Sequence, residues 1–257
     1  MKPILETKNL TIQFGGLKAV DSVDLSVYPG QLVGLIGPNG AGKTTVFNLL
    51  TSVYKPTSGQ VFFNGEDTQD LKPFELARKG IARTFQNIRL FKELSVLENV
   101  LVASTAQVDY SMWGACVRSA HFLSQEKKLE EFGLKLLQIF NLETKAHHLA
   151  GSLPYGEQRK LEIVRALATG PKLICLDEPA AGLNHQETHD LMLTVAKIRK
   201  DFNLAVLLIE HDMKLVMGIC ERIFVLDHGV KICEGTAREV QSSPKVIEAY
   251  LGPQEDT

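Results

Sequence analysis

Gln31-Leu32-Val33-Gly34-Leu35-Ile36-Gly37-Pro38-Asn39-Gly40-Ala41-Gly42-Lys43-Thr44-Thr45-Val46-Phe47-Asn48-Leu49-Leu50 decides the fold. The apolar run Leu32–Ile36 reads as a buried strand, and the apolar spacing of Val46, Leu49 and Leu50 as a helix. Between them, Gly37 to Thr44 fits the strand–GxxxxGK[ST]–helix pattern. Glycines at 37, 40 and 42 let the backbone curl and turn its N–H groups inward, toward phosphate oxygens. Lys43 reaches β- and γ-phosphates as a point charge, and the Thr44 hydroxyl suits Mg²⁺. With every position filled between the right elements, an ordinary glycine-rich turn is the weaker reading, and nucleotide binding the stronger.

The flanking chain supplies more strand ends. Residues 4–36 alternate as β structure, with turns at Phe14-Gly15-Gly16 and Pro29-Gly30. Phe14 suits either the core or an exposed stacking platform, and residue type alone favours the core. A turn, a strand and a turn follow over 56–65, a short proline-led helix over Pro73–Lys79, and a strand over Ile81–Phe85 ending at Gln86. Residues 95–140 read as helical, with Ser95 and Glu98 in capping-box register. Residues 104–124, including Trp113, read as an insertion. Leu129, Phe132, Leu136 and Ile139 or Phe140 line one helical face. Helices are expected from about Glu157 to Ala168 and over Gln186–Asp201, strands over 173–176 and 204–209, and two further strands around His228-Gly229. Fully apolar strands alternating with helices define an α/β chain, with a parallel sheet covered on both faces and an antiparallel N-terminal part.

Ligands of open α/β sheets gather at the carboxyl ends of strands. Asp177 and Glu178 stand at one such end and His211 at another. Asp177 is placed to hold Mg²⁺, Glu178 to orient an attacking water, and His211 to touch the γ-phosphate.

Composition narrows the class. The 257 residues carry a formal charge of −2, so no strong basic field argues for a nucleic-acid partner. Cys116, Cys175, Cys220 and Cys233 form no metal spacing and are expected as reduced, buried thiols in a cytosolic compartment. Neither a secretory signal nor a bilayer-spanning apolar run is visible.

The order of the phosphate loop, Gln86, Leu153-Pro154-Tyr155-Gly156-Glu157-Gln158, Leu173 to Pro179, Ala181-Gly182-Leu183-Asn184 and His211 resembles that of ABC-type ATPases across nearly the whole chain. It is similar above all to the LivG-like subunits of branched-chain amino acid importers, through Arg83 to Phe91, Leu208 to Met213 and the 104–124 insertion. The resemblance implies one P-loop ABC cassette over 1–257, a helical subdomain over 87–165, and a short C-terminal helical extension over 236–257. It implies ATP bound by Phe14 and by Gly37, Pro38, Asn39, Gly40, Ala41, Gly42, Lys43, Thr44 and Thr45, with Mg²⁺ at Thr44, Gln86 and Asp177. Catalysis then falls to Glu178, His211 and Gln86. Leu153 to Glu157 resemble the LSGGQ signature that faces a partner's nucleotide, and Ala181 to Asn184 the D-loop. Pro154 and Tyr155 stand where the signature has Ser and Gly, and Asn184 where the D-loop has Asp.

The implied partners are a second cassette, two membrane permeases and, indirectly, an external binding protein. The implied location is cytoplasmic, on the inner face of the membrane. Urea or short-amide importers and lipopolysaccharide exporters share many of these motifs, and the insertion favours the Liv-like group. A soluble ABC-type ATPase fits less well, since one cassette and no heptad run are present. A small-molecule kinase would need an acceptor pocket in place of Glu178.

Overall fold

The computed structural model describes residues 1–105 and 120–251. Trp113, Cys116 and most of the expected insertion lie outside the described residues, as do 252–257.

Alternating apolar residues in the first sixty positions build an antiparallel sheet. Strands β1 (Leu5–Phe14), β2 (Leu17–Val23), β5 (Ser58–Phe63) and β6 (Glu66–Asp67) run in the order β2-β1-β5-β6, and β3 (Ser26–Val27) pairs with β1. The fully apolar runs build the second sheet. Its order is β11-β10-β4-β9-β8-β7, with β4 (Leu32–Ile36), β7 (Ile81–Arg83), β8 (Leu173–Asp177), β9 (Ala205–Ile209) and β10 (Arg222–Asp227) all parallel. Only β11 (Val230–Gly235) pairs antiparallel at its edge.

Side chains alternate across a strand, so each central strand feeds two cores. Leu173, Cys175, Ala205, Leu207 and Ile209 join the antiparallel sheet and helix α1 (Lys43–Leu50). Ile174, Leu176, Val206 and Leu208 pack with the helices α3 (Val96–Ser104), α4 (Ala120–Ile139), α5 (Tyr155–Ala168) and α6 (His185–Asp201). The strands are thus buried on both faces, as their unbroken hydrophobicity requires. Helix α2 (Pro73–Lys79) has the expected bounds, with proline in its first turn and Glu75 accepting the Lys72 N–H at 2.8 Å. The Ser95–Glu98 capping box starts α3 as expected. Helix α7 (Met213–Ile219) was not read from sequence. The side chain of Asp212 caps it, accepting the N–H groups of Lys214 and Leu215. Helices α8 (Ala237–Gln241) and α9 (Pro244–Leu251) follow β11.

Two boundaries differ from expectation by two residues. Strand β7 ends at Arg83 rather than Phe85. The Thr84 N–H still reaches Cys175 O, but its hydroxyl accepts the Asp177 N–H at 3.1 Å, and the chain then leaves the sheet for α5. Helix α5 starts at Tyr155, two residues before the expected Glu157. Pro154, already fixed near the φ of −54° seen here, caps it, and its carbonyl accepts the N–H groups of Glu157 and Gln158 at 3.0 Å.

Candidate functional site

The carboxyl ends of β4, β8, β9 and β10 bring four segments to one edge of the parallel sheet: the phosphate loop, Asp177-Glu178, Glu210-His211 and His228-Gly229. A cleft of about 360 Å³ lies there, lined by residues 39–45, Glu178, Gly229 and, from β2, Lys18 and Ala19.

The loop is shaped by its glycines. Gly42 has a φ of 96°, and a Cβ there would lie 2.6 Å from Ala19 O, so neither the conformation nor the space admits a side chain. Gly229, also at positive φ, donates its N–H to Ala41 O and so ties the loop to the β10–β11 turn. No side chain caps α1 at Gly42. The first N–H groups of a helix have no intrahelical partner, so Lys43, Thr44 and Thr45 offer theirs to the cleft. The ammonium of Lys43 folds back onto Gly37 O at 2.7 Å and Pro38 O at 2.9 Å. Burial pushes the Lys43 pKa down, and the carboxylates of Glu178 and Asp177 oppose that shift. An uncapped helix end beside a buried cation is a setting for phosphate.

Asp177 closes β8 and is buried. Burial raises its pKa, and the Arg83 guanidinium, 4.0 Å away, pulls it back. Arg83 is itself held by Asn48 and Thr51 of the α1 end and lies over the rings of Phe47 and Phe85. Glu178 adopts a left-handed φ of 45°, a costly conformation for a non-glycine residue. Its N–H is fixed on Ile209 O at 3.0 Å, and the chain turns out of the β8 line with its side chain lining the cleft. His211 is mostly exposed, with Nδ1 4.0 Å from Glu178 Oε2 and 3.7 Å from Glu210 Oε2. Glu210, missed in the sequence, is buried and raised in pKa by that burial. Its carboxylate accepts the N–H of Ala180 at 2.9 Å and of His211 at 3.3 Å, joining the segment before the D-loop to the histidine.

Thr44 and Gln86 are exposed and Asp177 is buried. Hydroxyl, amide and carboxylate oxygens suit a hard divalent cation. Thus an anion cradle and oxygen donors fit a magnesium nucleotide. Phe14 departs from the core reading: it is 47% exposed and meets Tyr54 edge to face at 5.5 Å. It caps the end of β1, where the strand turns through Gly15 into open surroundings, so no core closes over the ring. Of the three residues expected at the metal, Thr44 lines the cleft, while Asp177 and Gln86, the latter beyond β7, do not.

Leu153 to Glu157 stand apart from that cleft. Leu153 is buried, while Pro154 and Tyr155 are exposed. Tyr155 packs on Gly182, and a Cβ on Gly156 would lie 3.2 Å from Leu183, so this segment and residues 181–184 touch within one chain. Asn184 caps α6: its side chain accepts the Glu187 N–H and its own N–H goes to Glu187, both at 2.9 Å. Asparagine therefore keeps the local capping role of an aspartate there. Arg159 was missed by the sequence reading. It is wholly buried and donates to Phe85 O at 2.7 Å, Gln86 O at 2.9 Å and Glu162 at 2.9 Å. Glu162 accepts the N–H groups of Phe85 and Arg89. Helix α5 thus holds the backbone on both sides of Gln86.

Known proteins share this architecture. The family profile described as "ABC transporter" matches residues 20–181, and that described as "Branched-chain amino acid ATP-binding cassette transporter" matches residues 230–252. The chain is 48% identical to the high-affinity branched-chain amino acid transport ATP-binding protein BraF of Pseudomonas aeruginosa, over 98% of each chain. It is 44% identical to LivG of Escherichia coli K12, over 98% of each. The ADP conformation of MJ1267, an ATP-binding cassette of an ABC transporter, superposes with a TM-score of 0.84 at 35% identity, covering 98% of this chain and 100% of that one. The dimeric bacterial cassette MJ0796 does so with 0.77 at 28% identity, covering 91% and 99%. With the phosphate loop, the strand-end carboxylates and the fold all in agreement, the chain belongs to the ABC transporter family of ATP-binding cassettes.

Proposed function

We propose that the chain is the ATP-binding and ATP-hydrolysing subunit of an importer of branched-chain amino acids. The observation that carries the catalytic part is the meeting of Lys43, the open end of α1 and Glu178 in one cleft. The solute class is supported by the full-length likeness to BraF and LivG.

The loop N–H groups bind phosphate oxygens, and the Lys43 ammonium leaves Gly37 and Pro38 to join them. Thr44, Gln86 and Asp177 would hold Mg²⁺, which when bound neutralises phosphate charge. Glu178 orients water and accepts its proton, His211 approaches the γ-phosphate from beside it, and Phe14 offers its exposed face to adenine.

The signature, Leu153 to Glu157, faces a nucleotide held by a second cassette, with Ala181 to Asn184 beside it. The exposure of Pro154 and Tyr155 apart from the chain's own cleft supports this, as does the dimeric form of MJ0796. Among the described residues no helix is long and apolar enough to cross a membrane. The membrane is then reached through permeases, on the cytoplasmic side, with an external binding protein delivering solute to them. The permeases dock on the helical region over 87–165, at whose border with α2 and β7 a groove of about 430 Å³ has Phe74, Phe85, Arg89 and Arg165 on its walls.

Equilibrium binding and steady-state hydrolysis separate the roles. Lys43→Ala abolishes ATP binding, whereas Glu178→Gln binds ATP and turns over slower by a factor on the order of 10² or more. Near-normal turnover by Glu178→Gln removes that residue from the role of base.

A further inference from the structure

Glu157 occupies the third position of α5, and Lys145 grips its carboxylate. The Lys145 ammonium donates to Oε1 and to Oε2, each at 2.6 Å. Lys145 ends the short 3-10 turn Glu143–Lys145 that follows α4, so the pair joins two separate elements at the signature. The side chains are 34% and 27% exposed. Ion pairs so accessible to water contribute little to stability, so stability does not explain this one.

The local electrostatics do. Pro154 has no N–H and no side chain caps the helix, so the N–H groups of Tyr155 and Gly156 form an open, partly positive end. Such an end suits an anion. Two carboxylates crowd it. Glu187 lies 3.4 Å from where a Gly156 Cβ would stand and is hydrogen-bonded by the Asn184 N–H. Glu157 is the other, and it fills the place that the LSGGQ pattern gives to a neutral glutamine. A free carboxylate there would repel the phosphates that the helix end attracts. The cation nearest in sequence does not serve it: Arg159 is committed to Glu162 and the backbone around Gln86.

We propose that Lys145 is a positioning residue: by neutralising Glu157 and holding its carboxylate to one side, it lets the end of α5 accept the polyphosphate of a nucleotide on the second cassette. This rests on the reading that the signature faces that nucleotide.

The test is hydrolysis by the assembled transporter, beside ATP binding to the isolated full-length chain. One uncompensated charge within a Debye length of a phosphate, at the dielectric of a protein surface, slows pairing by about tenfold. Lys145→Ala should therefore lose about tenfold in hydrolysis by the complex, while the isolated chain binds ATP within about twofold of normal. Lys145→Arg keeps the charge and most of the rate. Adding Glu157→Gln to Lys145→Ala removes the repelling charge and restores at least about fivefold, which lost packing alone would not allow. Raising the salt to about 0.5 M narrows the gap between Lys145→Ala and the unmodified chain. Normal hydrolysis by Lys145→Ala, or a double variant no faster than the single one, overturns the proposal. Gly156→Asp separates the two levels. If it inactivates the complex while Lys145→Ala does not, the role of Lys145 fails and the signature reading stands. If neither variant affects the complex, the signature reading fails with it.

Discussion

Replacing Arg159 with methionine removes the cation at the centre of a buried network. The guanidinium is wholly buried and makes hydrogen bonds of 2.7, 2.9 and 2.9 Å to Phe85 O, Gln86 O and Glu162. Methionine fills part of the volume but leaves two carbonyls short of a donor and Glu162, 5% exposed, without its counter-ion. Breaking a buried pair from one side costs about 3–5 kcal/mol. At roughly 2–4 °C per kcal/mol for a chain of this size, the melting temperature falls by about 6–20 °C. The double variant Arg159→Met, Glu162→Leu removes both charges together and should lose about half as much. Thermal melts give the stabilities, and hydrogen exchange at the amides of Phe85 and Arg89, which Glu162 accepts at 3.3 and 3.4 Å, reports the local loosening. A single variant losing less than about 1 kcal/mol, or a double variant well below the single, refutes the reasoning.

Three further outcomes follow from the site. Gly42→Ala forces a Cβ to 2.6 Å from Ala19 O at a φ of 96°, so nucleotide affinity should fall by about tenfold or more by calorimetric titration. Phe14→Ala removes the exposed ring that Tyr54 meets edge to face and should weaken ATP binding by about three- to tenfold, with little effect on the melting temperature because no core is opened. Asp177→Asn should abolish Mg²⁺-dependent hydrolysis and raise stability at neutral pH. Burial holds the Asp177 pKa above its ordinary 3.8, so the folded chain keeps that proton longer than the unfolded one. Stability from this group is present below that value and is lost as pH rises through the raised pKa. Melts across pH 3–7 should show a steeper decline in the unmodified chain than in the variant, in which buried Glu210 alone of the two still contributes.

Much of the site is local in sequence and was legible for that reason. The phosphate loop needs its residue types at fixed spacing within one strand–turn–helix unit, and Asp177-Glu178 follow an apolar strand directly. Capping at Ser95 and the proline at the start of α2 are equally local. What escaped depends on distant chain. Arg159 reads as an ordinary polar residue on a helix until residues 85 and 86, over seventy positions earlier, are laid against it. Glu210 looks like a solvated strand end until Ala180 binds it. Phe14 shows why residue type misleads: a phenylalanine suggests burial, yet the position ends an edge hairpin that nothing covers. Strand β7 stops early because the Thr84 hydroxyl accepts the Asp177 N–H, a contact across ninety-three residues.

Uptake driven by ATP is the central claim, and one reconstitution measures it. The chain is assembled in vesicles with the proposed permeases and second cassette, the proposed binding protein and labelled leucine are supplied outside, and ATP is enclosed on the face bearing the cassettes. The account predicts accumulation of leucine against its gradient together with ATP hydrolysis, both lost when Lys43→Ala replaces this chain. Accumulation that persists with Lys43→Ala, or hydrolysis that runs on without any uptake of branched-chain amino acids, would contradict it.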